Sequence, residues 1–231
     1  MKKALLGVLL LLPVAATEDK TFTVSGTVFV VGAVKPAKPN KRLGDDPSCC
    51  ALHPNQLPTV ETLVVDNAGG VRWAFVYVKK GLEGKTFEPP KTPVTIDQKG
   101  CLYTPHLAGA QVGQLVNFHN TDPVLHNVHG LPFTNKEFNF GQVNGATSGV
   151  KFTAAEVPVK VVCNVHPWMG SFVCVVDHPF FAVTDEAGKF EIRGLPAGTY
   201  TLGVWHEGLT FPDQALIVNA NQQVRFQTPA P

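Results

Sequence analysis

Thioether is scarce in this chain: of 231 residues, only Met1 and Met169 are methionines. Met1 is the initiator, so any role for a thioether in the processed protein falls on Met169. Charge is sparse as well, 16% of residues, with 19 basic side chains against 18 acidic ones. Such a balance leaves no basic face of the kind nucleic acid requires and excludes it as a partner. Beyond the first residues no apolar run is long enough to span a bilayer. No amphipathic helical period persists for three turns, which argues against a helical domain. No repeat of fixed period is present.

The first sixteen residues carry a targeting pattern. Lys2 and Lys3 form a positive start, Leu5–Leu12 a short apolar run ended by Pro13, and Val14-Ala15-Ala16 a small-residue cleavage site. This predicts a signal peptide cut after Ala16 and a periplasmic or secreted protein. No cysteine stands near the cut, so a lipid anchor is not expected. Cleavage leaves 17 basic against 18 acidic residues, a balance of −1 with neutral histidines. Export permits disulfides among Cys49, Cys50, Cys101, Cys163 and Cys174. Adjacent cysteines rarely bridge each other. Cys50 with Cys101 is the favoured structural bridge, with Cys49 and Cys174 a second pair or free thiols.

The remaining pattern is all-β. Thr21–Val31 alternates in strand fashion. Residues 32–58 are loop-like, rich in Pro, Lys, Asn, Asp and Gly. Strands are predicted at Glu61–Val65, Val71–Lys79, Pro93–Asp97, Gln114–His119, Pro158–Cys163 and Ser171–Val176, each bounded by turn residues. A short helix within 134–148 or 207–213 is the most that the pattern allows.

The chemistry concentrates in Cys163-Asn164-Val165-His166-Pro167-Trp168-Met169. Thiolate, imidazole and thioether within seven residues form a soft donor set, and Cys/His ligation with a weak axial Met is what a blue copper centre uses. A fourth donor should come from another strand. In the segment Val116–His129 a strand ends near Asn120, an Asp122-Pro123 turn follows and His126 restarts the chain. His126 is the expected fourth ligand. His129, three residues on, is the second choice, since a one-residue slip in register exchanges faces.

These two segments resemble the cupredoxin family, most closely its amicyanin branch, through Cys163-x-x-His166-x-x-Met169 and His126-Asn127-Val128-His129. The resemblance covers roughly residues 114–176. It implies a Greek-key β-sandwich and one type 1 copper centre, with His126, Cys163 and His166 equatorial and Met169 axial. It also implies that Asn127 braces the ligand loop by hydrogen bonds. Zinc is the rival ion, but structural zinc prefers several thiolates and no thioether. A Cys–His nucleophile gains nothing from a methionine, and a lone buried Cys or Met is often mere packing.

Of the other histidines, His119 reads as edge or solvent-facing, His53 and His178 as turn residues before proline, His106 as a loop residue and His206 as a core residue. Four protein ligands leave no open position for substrate, so the expected role is one-electron transfer rather than catalysis. The solvent-side edge of His166 is the expected exit, with Pro167 and Trp168 beside it as the docking surface for a redox partner. The alternatives are a copper-binding or storage module outside any electron chain, and a structural β-sandwich protein with a vestigial or zinc site.

After Asp177 strands are predicted at Phe180–Thr184, Lys189–Arg193, Thr199–His206, Gln214–Val218 and Gln223–Gln227. The turns Asp185-Glu186-Ala187-Gly188 and Gly194-Leu195-Pro196-Ala197-Gly198, with the Tyr200-Thr201-Leu202 strand, resemble a carboxypeptidase regulatory-like module. That resemblance implies a small transthyretin-like β-sandwich used as a spacer or platform. About 50 residues form a marginal core alone. The expected division is a copper domain over 20–176 and this module over 177–229, either appended or interleaved with strands from 20–80 such as Val24–Val31 and Val71–Val78.

Overall fold

The computed structural model describes residues 20–231; the signal-peptide reading of residues 1–16 lies outside them. In chain order the strands are β1 Thr21–Val31, β2 Phe75–Lys80, β3 Val94–Gln98, β4 Tyr103–Thr104, β5 Leu107–Gln111, β6 Leu115–Asn120, β7 His126–Leu131 and β8 Phe138–Gln142. They continue as β9 Thr147–Lys151, β10 Glu156–Val162, β11 Gly170–Val176, β12 Phe181–Val183, β13 Lys189–Pro196, β14 Gly198–Trp205, β15 Gln214–Val218 and β16 Gln222–Pro229. Two four-residue helices, α1 Lys41–Gly44 and α2 Pro47–Cys50, lie before β2. Among the described residues no helix is long and apolar enough to cross a membrane.

The fold is all-β, and its four sheets form two sandwiches. One pairs the order β5-β11-β10-β7-β8 with β4-β3-β6-β9. Its core includes Ile96, Val116, Phe118, Val128, Val161 and Val173. The other pairs β13-β1-β16 with β12-β2-β14-β15 around Val24, Val28, Val76, Ile192, Leu202 and Phe226. β1 runs antiparallel to β13 and parallel to β16, and β2 lies between β12 and β14. Strands from the first 80 residues thus complete the sheets of the C-terminal segment, and no linear boundary at 176/177 separates two bodies. The physical reason is core size: the strands after residue 177 cannot bury both faces of two sheets without β1 and β2. Phe75, Leu107, Cys174 and Val176 join the two sandwiches. β11 therefore buries both faces, Val173 and Val175 into one core and Cys174 and Val176 against the other body.

Several local expectations change. Residues 134–148 form β8 and the start of β9, and 207–213 contain no helix. The helices fall instead inside the predicted 32–58 loop, where Asn40 and Asp46 cap them by accepting from the Leu43 and Cys49 amides and Pro47 starts α2. Glu61–Val65 is not a strand and contributes only a bridge from Val65 to Val71. Strands β4, β5, β7, β8 and β9 are not among those expected from the sequence. The bridge is Cys49–Cys101 rather than Cys50–Cys101. One residue turns a helix by about 100°, which buries Cys49 and leaves Cys50 half-exposed and free. Cys174 is a buried free thiol and no partner of Cys49.

Candidate metal centre

Strand alternation decides which histidine of β7 turns inward. His126, Val128 and Gly130 are buried, whereas Asn127 and His129 face the other way. His129, the second-choice ligand, lies on the face away from His126 and bonds to Glu137 Oε1 at 2.8 Å and Asn164 Oδ1 at 3.2 Å. Cys163 and His166 lie on the turn between β10 and β11. The Met169 amide donates to His166 O at 2.9 Å and the Cys163 amide to Met169 O at 3.3 Å, which closes this turn.

The donor atoms of His126, Cys163 and His166 all lie within 4.8 Å of one another, and all three residues are buried. His126 Nδ1 is 3.0 Å from His166 Nδ1, which is 3.8 Å from Cys163 Sγ. Met169, 1% exposed, packs in the same core as Cys163. The arrangement brings three of the four sequence-predicted residues together as a set that could hold a metal ion, with Met169 in the same core cluster as Cys163.

The surroundings suit a cation. His126 Nε2 faces Asp122 Oδ2 at 2.8 Å. With the proton on that nitrogen, Nδ1 turns a lone pair inward, the arrangement by which carboxylates orient metal-binding imidazoles. Asp122 also accepts from the Gly100 amide at 2.6 Å and the Cys101 amide at 2.7 Å. Burial alone would raise its carboxyl, but the hydrogen bonds to His126 and to these amides outweigh burial and hold it down. Cys163 Sγ accepts from the Asn127 and His166 amides, each at 3.4 Å. Burial would push its thiol up; bonding to His126 and the backbone amides outweighs burial and favours thiolate. Burial lowers His166, as does the neighbouring charge of His126.

Asn127 Oδ1 accepts from the Asn164 amide at 3.0 Å, and its Nδ2 donates to Asn139 Oδ1 at 2.6 Å, so this side chain links β7 to the turn and to β8. Trp168 Nε1 donates to Cys101 O at 3.1 Å, and its ring centroid is 5.1 Å from that of His166.

Two features escape sequence reasoning. Asp122 reads there as a turn residue, and no local signal distinguishes it from other Asp-Pro pairs. The disulfide stands against the site: both its sulfurs lie within 4.8 Å of a ring nitrogen of His166. His166 is only 5% exposed. Little of its ring therefore meets solvent, with the Cys49 and Cys101 sulfurs and the Trp168 ring beside it. The remaining histidines take structural partners. His53 bonds to Gly100 O, His106 to Glu207, His119 to Thr147 Oγ1 and His178 to Val78 O, and His206 accepts from the Gly208 amide.

No protein-family model matches the chain, and no curated protein matches it. Among solved structures, partial likenesses are to a copper-containing nitrite reductase from Thermus scotoductus, a purple cupredoxin from Nitrosopumilus maritimus and a Cu(I) amicyanin variant. The reductase is 23% identical over 40% of this chain, with TM-score 0.34, and the match spans only 24% of the reductase. The purple cupredoxin is 24% identical over 36% of this chain and 98% of its own, with TM-score 0.32. The amicyanin variant is 22% identical over 36% of this chain and 81% of its own, with TM-score 0.33.

Proposed function

We propose that this chain is an exported copper protein that carries single electrons between redox partners and catalyses no reaction of its own. Its one type 1 centre would be held by His126, Cys163 and His166, with Met169 as the weak axial donor. The observation that carries the reading is the buried convergence of two imidazoles and one amide-bonded sulfur within 4.8 Å, backed by the only methionine of the processed chain. Bound copper would supply reversible Cu(II)/Cu(I) chemistry. Asp122 orients His126, the Asn127 and His166 amides stabilise the thiolate, and the packed core keeps the frame fixed when charge changes. The Lys2–Ala16 pattern supports export.

Burial of His166 moves the proposed docking face. Leu125 is 54% exposed and Val165 49%, and each adjoins a proposed ligand in sequence. These two side chains, rather than the His166 edge, would meet the partner, with Trp168 acting as a lid. The second sandwich, through its Gly194–Gly198 turn, is read as a carboxypeptidase regulatory-like spacer.

The test is an optical spectrum of Cu(II)-loaded protein beside Cys163→Ser. An intense visible thiolate-to-copper band in the parent that vanishes in the variant supports the reading; identical spectra would falsify it. The covered His166 specifically favours one alternative, a module that holds copper without relaying electrons. Fast electron self-exchange of the loaded protein would exclude that alternative, and slow exchange would favour it.

A further inference from the structure

The disulfide is an unusual neighbour for such a site. The Sγ atoms of Cys49 and Cys101 and a ring nitrogen of His166 lie within 4.8 Å of one another, all buried. Cys101 also groups with Asp122 and His126 at the same spacing. We propose that Cys49 and Cys101, once reduced, form with His166 a second copper(I)-binding site of two thiolates and one imidazole, placed against the first and sharing His166 with it.

Both sulfurs would stay in position after the bond opens, because other bonds hold their backbones. The Cys101 turn is fixed by Asp122 accepting from the Gly100 and Cys101 amides, by Trp168 donating to Cys101 O, and by His53 bonding to Gly100 O. Cys49 is held by the Asp46 cap on its amide and by burial in the core. Two thiolates and an imidazole are soft enough to prefer Cu(I). The chemistry balances with an external dithiol as reductant. The S–S bond breaks, each sulfur gains an electron and a proton, and the dithiol closes to its own disulfide. Cu(I) then displaces the two thiol protons as it binds. Sharing His166 makes full occupancy of the two sites exclusive.

This inference stands apart from the type 1 reading, since it uses neither Cys163 nor Met169, and its test omits both. In Cys50→Ser/Cys163→Ser protein, Cu(I) is titrated anaerobically against a chromogenic chelator, with the disulfide intact and after reduction by dithiothreitol and removal of the reagent. Reduction should tighten Cu(I) binding about 100-fold. Adding Cys49→Ala should abolish the gain, and His166→Gln should diminish it. No gain on reduction, or a gain that survives Cys49→Ala, overturns the proposal. Should the double variant not fold, copper X-ray absorption on the Cu(I)-loaded Cys50→Ser chain decides. A second short sulfur neighbour on reduction supports the site, and an unchanged sulfur count overturns it.

Discussion

Asp122→Asn isolates the contribution of the carboxylate behind His126. Oδ2 of Asp122 faces both His126 Nε2 at 2.8 Å and the Cys101 amide at 2.7 Å, while Oδ1 faces only the Gly100 amide at 2.6 Å. An asparagine of the same shape loses least by keeping its oxygen in the Oδ2 position and turning its NH2 towards Gly100. One half-buried amide is then left without an acceptor, at about 1–3 kcal/mol, and the two surviving bonds each lose about 1 kcal/mol in falling from charge-assisted to neutral strength. The expected loss of folding stability is therefore about 3–5 kcal/mol. The imidazole also loses the anion that raises its basicity, so copper affinity should fall 10–100-fold, about 1.4–2.7 kcal/mol. Urea unfolding reads the first quantity and competitive Cu(I) titration the second. Asp97→Asn is the control, since Asp97 bonds to Thr121 Oγ1 and not to a proposed ligand. A folded Asp122→Asn protein with copper affinity within twofold of the parent would refute the reasoning, whatever its stability.

Two further expectations concern the frame. The Cys49–Cys101 bridge closes a sequence separation of 52 residues, which by loop entropy stabilises the fold by about 4 kcal/mol. Cys49→Ala/Cys101→Ala should lower the urea midpoint by that equivalent, and a loss below about 1 kcal/mol would contradict the entropic account. Burial holds His206 down to about 4, against an ordinary value of 6.5. The folded protein thus takes up this proton less readily than the unfolded chain. Its contribution is fully present above pH 6.5 and is lost as pH falls towards 4, up to about 3 kcal/mol. His206→Gln should flatten the stability profile over that window, and an unaltered profile would rule out His206 as its source.

Composition and patterning alone carried the fold class and the ligand-type residues. Period-2 alternation in Thr21–Val31 and Gln214–Val218 is a local property of a half-buried strand, so it is visible without neighbours. The Cys163–Met169 spacing is equally local, because one turn between β10 and β11 holds three of the four proposed donors. The short strands β4, β5, β8 and β9 were not legible, since pairing rather than propensity makes them strands. The choice between His126 and His129 needed the register of β7 against β8 and β10, which sets the face each side chain takes.

What only the tertiary structure decided is what meets across long separations. Cys49 and Cys50 are equivalent in sequence, and the rotation of one short helix determines which reaches Cys101. Asp122 looks like any turn aspartate until the Gly100–Cys101 turn and His126 close around its carboxylate. The approach of the Cys49 sulfur to His166 spans more than a hundred positions of sequence. Local pattern fixes which face a side chain takes, because backbone geometry repeats every few residues. Distant contacts depend on how separately formed sheets pack, and no short-range pattern in this chain encodes that.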